Sequence, residues 1–153
     1  MTTYFDTSAL VAIYVTEAFS AAARREAALA GRIPFTPLHD LELGNALRLL
    51  NGRRLISAEE LEQLLAHVAE DREAERLADT PVDLHGVFDQ ARALSHRHAA
   101  RLLCRTLDIL HVSSAVALGS SRFVSADDRQ IKLGRTVGLA VIDITKRRRA
   151  RRP

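Results

Sequence analysis

Thr3-Tyr4-Phe5-Asp6-Thr7-Ser8-Ala9-Leu10-Val11 is the stretch on which the reading of this chain turns. An aromatic, strand-like run ends on an acid, two hydroxyl residues follow, and Ala9 to Val15 continues as an apolar segment read as a helix. That order puts Asp6 at the C-terminal end of a buried strand, the edge where ligands bind in open parallel α/β sheets. The same grammar returns near the other end of the chain, where Phe123-Val124-Ser125 leads into Asp127 and then a helical segment. In a parallel sheet both strands point the same way, so both carboxylates reach the same edge. Asp is also a favoured N-cap, and for either acid alone capping explains the pattern as well as a ligand does.

Working outward, segments of helical character alternate with short strand-like ones. Helices are expected over 18–29, closed by Gly31, and over 38–50, where Leu43, Ala46, Leu47 and Leu50 recur at helical spacing. Ser57 with Glu60 opens a third in a capping-box pattern. Leu84, Val87, Phe88, Ala91 and Leu94 mark a fourth, while 96–105 reads as its end and a loop. Residues 107–118 are apolar or small apart from Asp108 and His111, as in a helix buried on most sides. Another helix begins at 127–133. Strands are expected at 2–5, 120–125 and 139–144, with a possible one at Thr80-Pro81-Val82-Asp83. Ile33-Pro34-Phe35-Thr36-Pro37 suits a short strand but is too proline-rich for a central one. The alternation implies right-handed crossovers and a mainly parallel sheet.

The 153 residues suffice for one domain with a sizeable core. Residues 1–144 are read as that domain and 145–153 as a basic, disordered tail. The tail holds Lys146, Arg147, Arg148, Arg149, Arg151 and Arg152, and removing those six charges from the formal +3 leaves the body at −3. The 5% aromatic content argues against recognition by stacking of bases. One cysteine, Cys104, excludes an internal disulfide and suits a reducing cytoplasm; between apolar neighbours it reads as a small buried hydrophobe. No run is apolar enough to span a membrane, and Asp6 without a preceding cation is unlike the start of a signal peptide.

Asp108 is carried inward by Leu107, Ile109 and Leu110, and a buried carboxylate needs a cation or several donors. Glu42 lies beside the apolar stripe of its helix, where an ordinary surface role competes. If these two converged with Asp6 and Asp127, mutual repulsion would demand a counter-charge, and a hard divalent cation would supply it. His96 and His98 lack a third partner. His111, on the face of Asp108, reads as a core histidine with one hydrogen bond rather than a partner of the acids. No phosphate-binding glycine loop, GxSxG or CxxC is present.

With those residues in hand, the chain resembles a PIN-domain ribonuclease of the VapC toxin type. The matching segments are YFDTSALVAIYVTE, DLELGNALRL, TLDILHVSSAVALGSSRFVSADDRQ and GLAVI, in the family's order from about residue 3 to about residue 143. The resemblance implies a three-layer α/β/α sandwich with a central, mainly parallel sheet. It implies a four-acid site of Asp6, Glu42, Asp108 and Asp127, and Mg²⁺- or Mn²⁺-dependent endonucleolytic cleavage of RNA. It further implies a homodimer neutralised by a small VapB-type antitoxin. Asp6 and Asp108 are then direct metal ligands, with Glu42 and Asp127 acting through water or at a second ion. Thr7, Ser8, Asn45 and Ser125 are expected donors around the acids, and Arg48, Arg53 and Arg54 candidate RNA contacts. Ser125 stands where the family often has Thr, and Asp128 is expected to cap or face solvent. The alternatives are an inactive PIN-fold module that binds nucleic acid or a partner, and a phosphotransfer domain. The second is disfavoured because Ser8 replaces a second Asp and the body offers only Lys132.

Overall fold

A computed structural model of the chain describes residues 2–146. The part of the basic tail from Arg147 onward lies outside the described residues. Five short strands alternate with helices: β1 (Thr3–Phe5), α1 (Thr7–Tyr14), α2 (Ser20–Ala30), β2 (Ile33–Phe35), α3 (Pro37–Gly52), α4 (Ala58–Glu73) and β3 (Leu77–Asp79). There follow α5 (Leu84–Leu94), a π-helical turn at Ser95–Ala99, α6 (Ala100–Leu102), α7 (Thr106–Ala117), β4 (Arg122–Ser125), α8 (Asp128–Thr136) and β5 (Ala140–Asp143).

Side chains alternate across a strand, and β1 and β4 bury both of their faces. Phe5 and Val124 pack with Leu10, Phe35, Leu43 and Leu47 on one side. Tyr4 and Phe123 pack with Ile109, Val112 and Leu133 on the other. Tyr4 and Phe123 stack at 5.6 Å between ring centroids and 5° between planes. Burial on both faces is what a three-layer α/β/α sandwich requires, with α1 to α4 on the Phe5 side and α5, α7 and α8 on the Tyr4 side. All strand pairs are parallel, as the alternating pattern implies. One expectation needs correction. The strand expected at 80–83 lies at Leu77–Asp79, and the ladder stops after Thr80 because Pro81 has no N–H to donate. Residues 96–105 are the end of that helix and a loop, as expected: the helix runs through the π turn to Leu102 and ends where Leu103 takes a left-handed conformation at φ 55°.

The strands form two ladders, β1-β4-β5 and β2-β3, and the cause is one residue. Ile33 N donates to Arg76 O and Thr80 N donates to Phe35 O, each at 2.8 Å, so Ile33 and Phe35 face β3. Neighbouring residues of a strand direct their polar groups to opposite sides, so Pro34 faces β1, and proline has no donor to give. On β1, Asp6 N is turned to Val124 O at 3.0 Å, which leaves the Phe5 carbonyl facing β2. His39 fills the gap. Its Nε2–H donates to Phe5 O at 2.8 Å, and its Nδ1 accepts Thr36 N at 3.0 Å. With an unambiguous acceptor on one nitrogen and a donor on the other, the ring is the neutral Nε2–H tautomer. The proline that argued against a central strand is thus accommodated in an inner strand by a histidine on the next helix.

Burial pushes His39 down to about 3. In the unfolded chain the ring takes a proton below its ordinary value near 6.5, so between about 6.5 and 3 the unfolded state binds more protons. Stability therefore falls as pH falls through that window. Replacing His39 with Gln keeps an amide donor and a carbonyl acceptor but removes the titration. Urea unfolding at pH 6.5 and pH 5 should show wild type losing about 2 kcal/mol more than His39→Gln.

Candidate active site

The turn after each of two neighbouring strands supplies the floor of the site. In the β1–β4 register Phe5 lies opposite Val124, so Asp6 follows one strand and Ser125 ends the other at the same edge. Asp6 caps α1 and has no solvent exposure. Its Oδ1 accepts Ser8 Oγ at 2.7 Å and Ala9 N at 2.9 Å, and its Oδ2 accepts Ser125 Oγ at 2.5 Å. Both serines are themselves aimed: Ser8 Oγ accepts Ala126 N and Ser125 Oγ accepts Asp127 N, each at 2.9 Å. Each backbone amide of the β4–α8 turn thus orients one hydroxyl, and each hydroxyl donates to one oxygen of Asp6. Burial pushes the Asp6 carboxyl up; the charge of His111 and these hydrogen bonds oppose that without cancelling it.

Glu42 arrives on α3, from the other face of the sheet. Its Oε2 accepts Thr7 Oγ1 at 2.9 Å and is in close contact with His111 Nε2. His111 is buried, and its Nδ1 lies 2.9 Å from the Tyr4 hydroxyl. Burial alone would raise the Glu42 carboxyl, but the hydrogen bond and charge of His111, together with Thr7, outweigh it and leave Glu42 below the usual range. Burial also raises the Tyr4 phenol, so its O–H remains available to Nδ1. The reading of His111 as a core residue with one hydrogen bond is corrected: it is buried, yet it holds Glu42. The i,i+3 spacing from Asp108 put His111 on the site face of α7, but nothing local pointed to Glu42.

Asp108 is buried in the first turn of α7, its side chain 1% exposed. Its Oδ2 accepts Arg105 N at 2.8 Å and its Oδ1 lies 3.5 Å from Gln130 Nε2. Asp127 caps α8, accepting Arg129 N at 2.8 Å and Gln130 N at 3.2 Å on Oδ1. The capping explanation for Asp6 and Asp127 therefore holds at the same time as their convergence on one edge. Asp128 is exposed and paired with Lys132 at 2.5 Å.

Arg105 was not singled out in the sequence. Its guanidinium reaches Asp108 at 3.3 Å and Asp127 at 3.4 Å. Thr7, Ser8, Glu42, Arg105, Thr106, Leu107, Asp108, Asp127 and Gln130 line a cleft of about 510 Å³, within the usual range for ligand sites. Asp6 lies beneath it. Asn45 is exposed on α3 and is not part of the lining. Arg48, Arg53 and Arg54 are exposed and also lie outside it; the last two follow the C-terminal end of α3 at Gly52. Cys104 is half-buried, and burial raises its thiol, which disfavours a nucleophile.

The donors offered by the four acids are all oxygens, the class that Mg²⁺ and Mn²⁺ take, so the residues fit such an ion in kind. Among the described residues no three His, Cys, Asp or Glu side chains already form a ligand group. Asp6 is taken up by hydroxyls, Glu42 by Thr7 and His111, and Asp108 and Asp127 by Arg105. Among those residues, too, no helix is long and apolar enough to cross a membrane.

Comparison with known proteins bears on the fold. Two solved structures are similar in fold. FitAcB from Neisseria gonorrhoeae matches with a TM-score of 0.58 at 13% identity, covering 93% of this chain and 97% of the other. PAE2754 from Pyrobaculum aerophilum matches with a TM-score of 0.53 at 17% identity, covering 94% and 90%. No curated protein matches the sequence. The family model described as PIN domain matches residues 3–136. With that span covering most of the 153 residues, the chain belongs to the PIN-domain family, whose members are generally metal-dependent nucleases.

Proposed function

We propose that this protein is a metal-dependent endoribonuclease of the VapC type, acting as the toxin of a toxin–antitoxin pair. The observation that carries the reading is that Glu42, Asp108 and Asp127, from three separate elements, line one cleft, with Asp6 buried next to it and held by Ser8 and Ser125. Capping accounts for Asp6 and Asp127 singly. It does not account for Glu42, which crosses from the opposite helical layer to meet a buried histidine.

In this reading Asp6 and Asp108 hold the principal Mg²⁺ or Mn²⁺ ion, and Asp127 completes the negative pocket. A divalent ion held there supplies an activated water and offsets the charge that develops on the phosphate. The protein's own groups set the geometry. Ser8 and Ser125 fix the Asp6 carboxylate through their backbone-anchored hydroxyls. His111, backed by Tyr4, fixes Glu42, which orients the attacking water with its unprotonated carboxylate. The toxin role, a VapB-type antitoxin and a homodimer rest on the likeness of the sequence segments to that branch of the family.

One observation favours the second reading, an inactive nucleic-acid or partner-binding module: Arg105 already neutralises Asp108 and Asp127. Metal dependence separates the two. Wild type with Mn²⁺ should cleave an RNA pool, and EDTA should abolish cleavage. Asp6→Asn and Asp108→Asn should each lose at least about a hundredfold in rate, with circular-dichroism melts unchanged or raised. Cleavage by either variant at the wild-type rate would falsify the assignment. Glu42→Gln should separate the roles: cleavage falls as far, but Mn²⁺ affinity, read by electron paramagnetic resonance, stays within about threefold of wild type. In cells, expression of wild type should arrest growth and Asp108→Asn should not, and sequencing RNA 5′ ends after expression would show the cut sites.

A further inference from the structure

Arg105 is the one arginine or lysine paired with acids of the cleft among the described residues, and its situation is unusual. Its side chain is 66% exposed, while the Asp108 carboxylate beneath it is 1% exposed. The guanidinium touches only Asp108 and Asp127: Nε lies 3.3 Å from Asp108 Oδ2, and Nη2 lies 3.3 Å from Asp108 Oδ1 and 3.4 Å from Asp127 Oδ2. The contacts are long for charge-assisted hydrogen bonds, which favour 2.7–2.9 Å. Nothing else anchors the group. By contrast, the cap that secures the start of α7 is the Arg105 backbone N–H to Asp108 Oδ2 at 2.8 Å. That bond does not need the side chain. The arginine is therefore dispensable to the helix start and loosely held at the mouth of the cleft. It bridges two of the carboxylates that would meet a divalent ion.

A neighbouring group points the same way. Gln130 lines the cleft, is buried, and reaches Asp108 only weakly through Nε2 at 3.5 Å, while its Oε1 has no hydrogen-bond partner. A buried acceptor left unpaired beside two acids marks a place whose polar complement is incomplete.

We propose that Arg105 is an exchangeable counter-cation: it neutralises Asp108 and Asp127 while no divalent ion is bound, and turns out to hold a phosphate of the RNA when the ion takes its place. This rests on the metal-dependent reading above. Its logic is electrostatic. An acidic cleft repels RNA, and a guanidinium committed to two carboxylates has little left to offer a phosphate. Once released at the rim, the same planar donor can bind a phosphate bidentately. Metal binding and RNA binding are thereby coupled through one side chain, so RNA is gripped only by a loaded site. Arg48, Arg53 and Arg54, outside the lining, cannot make that exchange.

The proposal and a supporting role for Arg105 predict opposite signs. If Arg105 merely props Asp108 in place, removing it loosens metal binding. If it competes with the ion, removing it tightens binding. Mn²⁺ would be titrated into wild type, Arg105→Met, Arg105→Lys and Asp108→Asn at low salt, reading the free ion by electron paramagnetic resonance. Binding of a fluorescent RNA pool would be measured by anisotropy, with and without Mn²⁺, in the slowly cleaving Glu42→Gln background. Arg105→Met should bind Mn²⁺ on the order of tenfold more tightly, with Arg105→Lys between it and wild type. RNA affinity in that background should fall about tenfold with Mn²⁺ present and be unchanged in EDTA. Equal or weaker Mn²⁺ binding by Arg105→Met overturns the exchange. Equal Mn²⁺ binding by wild type and Asp108→Asn instead overturns the metal site itself, and the two failures are told apart by which pair of curves coincides.

Discussion

A carboxylate with no exposure to water must be answered by donors or by a cation, and Asp6 imposes that demand on the centre of this fold. The answer comes from the register of two parallel strands. Because Phe5 sits opposite Val124, the hydroxyl of Ser125 arrives at one Asp6 oxygen and the turn beyond it aims the hydroxyl of Ser8 at the other. A shift of register by one residue would send Ser125 to the far face and leave the acid unpaired, at a penalty of several kcal/mol for a buried charge. Sheet pairing and site geometry are thus a single constraint. A Thr at 125 would satisfy it equally; an apolar residue would not.

What could be read in the sequence was what is encoded locally. Strand, acid and helix in succession marked Asp6 and Asp127, and an acid amid Leu107, Ile109 and Leu110 marked Asp108. Glu42 looked like a surface residue until the order of the family-like segments singled it out. Its distinguishing contact is with His111, 69 residues away, and no periodicity carries that information. Arg105, Gln130 and His39 were invisible for the same reason: each acts on a group from another element or on a carbonyl freed by a proline elsewhere. The strand at Leu77–Asp79 was missed because three residues are too few to show a period of two, while the β-prone Val82 after Pro81 gave a false signal.

The two helical layers meet at the site. Glu42 comes from the layer over Phe5 and His111 from the layer over Tyr4, with Thr7 between them. Each partner satisfies a need of the other: the half-buried carboxylate gains a donor, and the buried imidazole gains an acceptor while Tyr4 serves its second nitrogen. Such a network is worth having only when complete, which is why Tyr4, far from the cleft surface, belongs with the site as much as with the core.

Pro34 has a mechanical consequence. Since β1 and β2 share no backbone ladder, the three-strand block bearing Asp6 and Asp127 and the two-strand block leading to Glu42 abut along a line crossed by side chains, His39 at the level of the sheet and Glu42 above it. The same line is closed by the packing of Phe5 and Leu10 against Phe35, Leu43 and Leu47 and by the hydrogen bond from the Tyr14 hydroxyl to Asp71. The join between the two blocks is therefore made by side chains and not by backbone, and the place of Glu42 relative to Asp6 and Asp127 is set by that packing.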